Sequence, residues 1–216
     1  MLLAALSFAV AAPPAGLAAP MHERFTLATR IRDDVVQGRL DEARTLARAL
    51  AELGAADGLP ADAAPFVAAL SAEAAKVASA PDLVTAALAT GRMVASCGAC
   101  HGATGGGPGL DRAGDIPPQV WEPGRNMELH AWALDWMWLG LIANDDPAWT
   151  RGAAELVRRP LAPRFEDAPP PGSRTQLEQL VYLLAGQALE ADAPAERADV
   201  YGKLLATCSE CHTTRR

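Results

Sequence analysis

Gly91-Arg-Met-Val-Ala-Ser-Cys-Gly-Ala-Cys-His101 and Gly202-Lys-Leu-Leu-Ala-Thr-Cys-Ser-Glu-Cys-His212 are one stretch written twice. Glycine, alanine, both cysteines and histidine coincide, and most other positions are conservative exchanges. The two copies use every cysteine in the chain: Cys97, Cys100, Cys208 and Cys211. A repeat of this kind governs the reading of everything around it. Working outward, Met21 lies against Met127 without gaps through Leu50 against Leu156, and Gly38 falls on Asn144. Each half therefore reads as one unit ending on its own cysteine stretch.

Between those ends the pattern is helical. Alanine is abundant and favours helix, and alternating β-branched and polar residues are nearly missing. Residues 22–37 form an amphipathic segment with Phe25, Ala28, Ile31 and Val35 at helical spacing. A second helix runs from Asp41 to about Leu53, a third over about 62–78 and a fourth over about 82–101. Residues 102–126 are rich in glycine and proline, and a connection that long commonly covers a site or joins domains. Helices return at about 128–143, 148–158, 174–190 and 195–212. The expectation is an all-α protein of two consecutive four-helix bundles, 21–104 and 127–216, with a linker at 105–126.

Residues 1–20 read as a secretory signal. Their uncharged run is shorter than the roughly 20 apolar residues of a membrane span, and small residues follow it. A retained anchor is the competing reading, since no Lys or Arg precedes the run. Export would place the protein in the periplasm. Half the 216 residues are hydrophobic and 21% are charged, a globular composition. The net charge of -7 lacks the basic footprint of nucleic-acid binding. No paired acids or Ser-His-Asp set emerges, and Gly105–Gly107 lacks the Lys-Ser/Thr of a nucleotide loop.

Cys-x-x-Cys-His is the attachment signature of c-type haem. Two thiols add to the two vinyl groups on one porphyrin edge, and the two intervening residues hold them one helical turn apart. The adjacent histidine turns back to the iron as proximal ligand. Cys97, Cys100 and His101 would hold one haem, and Cys208, Cys211 and His212 a second. In the last helix Val200, Leu204, Cys208 and His212 recur every four residues, so the apolar face runs into the haem face. A thioredoxin-like site expects a βαβ context that is not visible. A four-cysteine zinc site would leave both histidines unexplained. Each unit is small for an independent core, and a covalent haem would add apolar surface to it.

Two histidines remain. His22 and His130 lie near the start of the first helix of each unit, which in an antiparallel bundle sits beside the end of the fourth. Both are candidate distal ligands, but they are not equivalent in the repeat. His130 falls opposite Arg24, and His22 opposite Glu128, an offset of about 200° around a helix. Met21 and Met127 align directly and are the alternative axial ligands, which would raise the potential. Met93 and Met137 sit in apolar stripes and read as core. Trp132, Trp136, Trp138 and Trp149 read as core packing, with packing against the second haem as the alternative. Tyr182 and Tyr201 read as core edges. Arg24, Arg92, Arg158 and Lys203 read as solvated side chains, with haem propionates as the alternative partners.

The C-terminal stretch Tyr201-Gly-Lys-Leu-Leu-Ala-Thr-Cys-Ser-Glu-Cys-His-Thr-Thr-Arg-Arg216 resembles the end of the cytochrome c′ and cytochrome c-556 family. The resemblance extends over each unit, so 21–216 looks like a tandem pair. It implies four-helix bundles with haem on the last helix, the first helix supplying a sixth ligand or an apolar pocket. Histidines near the first helix depart from the family's usual methionine or apolar residue, which argues against an open gas-binding iron. Two haems in one chain depart from its single-haem subunit. Separately, Cys97-Gly-Ala-Cys-His-Gly-Ala-Thr-Gly-Gly-Gly-Pro-Gly-Leu110 looks like the start of a small soluble cytochrome c domain. Met127 or Met137 would then be axial. The second motif, four residues from the chain end, argues against extending this to the whole chain.

The leading functional expectation is a periplasmic dihaem electron carrier with His-ligated iron. It would serve redox partner proteins, with a membrane-associated electron-transfer complex among the options. A small-ligand binding protein with a five-coordinate haem taking nitric oxide, carbon monoxide or oxygen is the alternative. An enzyme such as a peroxidase would need an open iron and a positioned acid-base group, and none stands out in the sequence.

Overall fold

A computed structural model of the chain describes residues 17–54, 59–110, 127–160 and 169–214. Of the expected signal only residues 17–20 fall within these ranges, and of the expected linker only residues 105–110. The helices are α1 (Ala18–Val36), α2 (Leu40–Glu52), α3 (Ala64–Ala78, after a 3-10 turn at Ala61–Ala63), α4 (Leu83–Thr104), α5 (Met127–Ala143), α6 (Asp146–Arg158), α7 (Arg174–Glu190) and α8 (Pro194–Thr213). Every expected helix is present, and no strand occurs among the described residues. Helices α1–α4 and α5–α8 form two four-helix bundles.

Local chemistry sets the boundaries. Asp82 caps α4 by accepting from the Thr85 backbone N–H at 2.7 Å, and Asp145 caps α6 through Ala148 at 2.8 Å. Pro194 opens α8, where a missing N–H is harmless. Gly105 ends α4 in the left-handed region at φ 66°.

The most extensive helix contact in the molecule joins α4 to α8, the two helices that carry the cysteine motifs. It depends on repeat-related glycines. A Cβ on Gly91 would stand 2.2 Å from the Ala198 carbonyl oxygen, and one on Gly202 would stand 2.8 Å from Leu88 Cα and 3.1 Å from the Ala87 oxygen. Ala87 and Ala198 are themselves repeat equivalents, so the crossing is a pseudo-two-fold. Helices α1 and α5 obey the same symmetry. Arg32 Nη1 binds Asp135 at 2.7 Å, while Trp138 Nε1 donates to Thr29 Oγ1 at 3.3 Å. Arg32 aligns with Trp138 and Thr29 with Asp135, and the guanidinium of Arg32 also lies over the Trp138 ring at 5.2 Å.

The helix pair α4–α8 is antiparallel. The end of α4 meets the start of α8, where Ala95, Gly98 and Ala99 share a cleft with Pro194 and Arg197. Conversely, the end of α8 meets the start of α4: both Thr213 and Leu83 abut Gly38. The two motifs therefore sit at opposite ends of the pair, on the order of 25 Å apart at 1.5 Å rise per residue. By composition and length α4 resembles a membrane span, yet it is packed by α3, α5 and α8.

Met93, Met137 and Tyr201 are fully buried and Trp136, Trp138 and Trp149 nearly so, as core residues should be. Tyr182 is half-buried. Two expectations for α1 fail. Phe25 is 38% exposed, whereas Arg24, read as solvated, is only 8% exposed. The inward stripe of Ala28, Ile31 and Val35 continues back one turn to position 24, four residues before Ala28, and so places Arg24 inside. Arg92, Arg158 and Lys203 are exposed, paired with Glu73, Glu155 and Asp199 at 3.1, 2.5 and 2.6 Å.

Candidate haem-attachment sites

In unit 1, Cys97 and Cys100 are half-buried free thiols one turn apart on α4, and His101 follows directly. The His101 ring is held from outside its own bundle. Its Nδ1 lies 2.7 Å from the Ile142 carbonyl oxygen at the end of α5. A carbonyl can only accept, so Nδ1 carries a proton and Nε2 is the nitrogen left for a metal. This hydrogen bond fixes the ring's orientation, as the outer hydrogen bond of a metal-bound histidine does. It is available because the last carbonyls of a helix have no intrahelical partner.

Glycines allow α5 to come this close. A Cβ on Gly98 would fall 2.0 Å from the Leu141 oxygen, and one on Gly102 would fall 2.8 Å from Asn144 Nδ2. Asn144 adopts φ 52°, the left-handed position that ends α5. Past the end of α4, Gly107 at φ 122° lays the glycine-rich segment against the imidazole. A Cβ there would be 3.1 Å from His101 Cβ and Cγ.

The end of α4 also meets the start of α1. Arg24 donates to the Pro20 and Gly54 carbonyls at 3.2 and 2.5 Å, and its charge acts on Cys97. Burial pushes the Cys97 thiol up to about 12, and Arg24 opposes part of that shift. Cys100 is raised by burial and by Asp62. Thus the start of α1, the end of α2, the start of α3 and the cysteines occupy one end of the first bundle.

Unit 2 repeats the arrangement with different side chains. Cys208, Cys211 and His212 are half-buried on α8. Burial pushes Cys208 up to about 12 as well. Arg174, at the start of α7, pairs with Glu178 at 2.6 Å and is electrostatically coupled to Cys211. Glu178 in turn acts on His130, which lies at the start of α5 and is 4% exposed. His130 Nε2 donates to the Arg159 carbonyl at 3.3 Å, leaving Nδ1 as the acceptor nitrogen. Its pKa is lowered by burial, so the ring is neutral, the form that binds a metal. His130 therefore stands at the same end of unit 2 as the second motif.

The other sixth-ligand candidates are placed differently. His22 is exposed, on the opposite side of α1 from Arg24; Met21 is half-buried, and Met127 is 38% exposed. The two cysteine pairs lie at opposite ends of α4–α8, so they do not converge as a four-cysteine site. Two features of unit 1 escape sequence reading: the Ile142 carbonyl and the burial of Arg24. The first carries no side-chain signal. The second had one, since Arg24 aligns with His130.

Comparison of the chain with protein-family models, with curated proteins and with solved structures finds no match. The site must be read from its own chemistry. The residues fit the group. Each motif has free thiols one turn apart with a histidine beside them, and His101 is already turned with Nε2 available. The chain is an all-α protein with two c-type haem attachment motifs, each at the end of a helix cluster.

Proposed function

We propose that the protein is a dihaem c-type cytochrome that carries single electrons, built as a tandem of cytochrome c′/c-556-like bundles and exported to the periplasm. The observation that carries this reading is the duplicated attachment helix. Both copies of Cys-x-x-Cys-His stand on helices that pack across a pseudo-two-fold, and the first histidine is locked by a backbone carbonyl. Haem supplies the one-electron chemistry, and the chain supplies ligands, burial and orientation. His101 and His212 act as proximal ligands. His130, buried and neutral at the second motif, acts as sixth ligand there and makes that site low-spin. Met127, more exposed, is the lesser candidate.

The placement of the motifs bears on partners. Sites on opposite ends of α4–α8 present two separate surfaces for electron exchange, each meeting redox partner proteins on its own side. The net charge of -7 favours basic partner surfaces. Ligation is tested by His130→Ala. Loss of the sixth ligand is expected to convert one ferric haem from low to high spin, read by EPR, and to let that haem take carbon monoxide when reduced. An unchanged low-spin signal with intact haem content would remove His130 from the iron.

A further inference from the structure

Arg24 and His130 occupy the same place in the two units. They fall opposite each other in the ungapped alignment, and both are buried. Each reaches a carbonyl just past the second helix of its unit. Arg24 Nη2 donates to Gly54 at 2.5 Å, and His130 Nε2 donates to Arg159 at 3.3 Å. Two sites built alike therefore hold different groups. One is an imidazole, whose second ring nitrogen can offer a lone pair; the other is a guanidinium, which has none to offer iron.

A buried guanidinium calls for an anion, because a charge removed from water is costly unless paired. Among the described residues the hydrogen-bond partners of Arg24 are two carbonyls and no carboxylate. Among the described residues only two of its five N–H groups are used this way. Arg24 is buried on α1 and its charge is felt at Cys97, whereas His101 is drawn toward α5 by Ile142. Guanidinium and imidazole thus approach the attachment site from different neighbours of α4. His22, on the far side of α1, is not aimed at this position.

We infer that haem 1 is the ligand-accepting site of the molecule: its open side binds a small monoanion held by Arg24, while the equivalent position at haem 2 is closed by His130. This rests on the dihaem reading above and divides the labour between its two sites. Charge-assisted hydrogen bonds from a guanidinium to an anion are among the stronger polar contacts, and geometry favours Arg over Lys there.

Titration of the ferric holoprotein with sodium azide, followed by absorbance and EPR, tests the inference. One haem of the two is expected to respond. Arg24→Leu should weaken azide binding about tenfold or more. Arg24→Lys, which keeps the charge but loses the planar fork, should fall between. His130→Ala should add a second responding haem. A two-haem protein whose spectrum azide leaves unchanged, as it would be if Met21 closed haem 1, overturns the inference and leaves the dihaem reading standing. So does equal affinity in Arg24→Leu. Should Arg24→Leu fail to mature, the wild-type titration and Arg24→Lys still decide, and Arg24→Lys binding azide as tightly as wild type counts against the guanidinium. A protein carrying no haem removes both readings together, so haem content is measured for every variant.

Discussion

Gly91→Ala is expected to destabilise the protein by about 2 kcal/mol, and Gly91→Leu by about 3 kcal/mol or more. The sign runs against helix propensity. Glycine inside a helix is worse than alanine by roughly 0.5–1 kcal/mol, so an isolated helix would gain from the first change. Here the new Cβ would stand 2.2 Å from the Ala198 oxygen and 3.0 Å from the Gly202 nitrogen, both backbone atoms of α8. Backbone cannot step aside as a flexible side chain can, so α4 and α8 must separate. That disturbs the most extensive helix contact in the molecule and both attachment helices with it. Gly186 on α7 is the control: nothing lies within 4 Å of its would-be Cβ, and Gly186→Ala should stabilise slightly. Urea unfolding of the holoprotein followed by circular dichroism checks both. Equal stabilisation by the two changes would mean that α4 and α8 do not pack through these glycines.

Replacing Cys97 and Cys100 together with alanine is expected to halve the haem content and leave one haem per chain. The effect is all-or-none at that site, because the thioethers hold the group in place. The reciprocal pair, Cys208 and Cys211 to alanine, should spare the other haem. The two half-loaded proteins then display each site alone. The one retaining haem 2 should show the low-spin spectrum of His130 ligation, and the one retaining haem 1 should show the anion response. The pyridine haemochrome assay with absorbance spectra reads this directly. Full haem content in either double variant would show that the pair concerned is not an attachment site.

The repeat makes most of the fold legible in the sequence. Eight helices, their order and the position of both motifs followed from Gly91–His101 against Gly202–His212 and from helical spacing. What remained hidden lies between the units. The α4–α8 crossing depends on Gly91 and Gly202, which the alignment marked as shared, but a shared glycine does not announce which helix it will meet. The hydrogen bond from His101 to Ile142 is invisible to side-chain patterns because its acceptor is a backbone atom on the other bundle. Arg24 departs from its sequence expectation for a different reason. A lone arginine is solvated by default, and only its stripe with Ala28, Ile31 and Val35, together with carbonyls to receive its N–H groups, brings it inside. The asymmetry between Arg24 and His130 was present in the alignment, but burial of both was needed to give it chemical meaning.

The most direct test is the intact mass of the holoprotein purified from a host with c-type haem maturation, taken under denaturing conditions that strip any non-covalent group. The expected mass is that of the polypeptide, less any cleaved leader, plus two covalent haems, with peptide mapping placing one on Cys97/Cys100 and one on Cys208/Cys211. A polypeptide that matures without added haem mass, or with its cysteines paired as disulfides, would contradict the dihaem reading at its root.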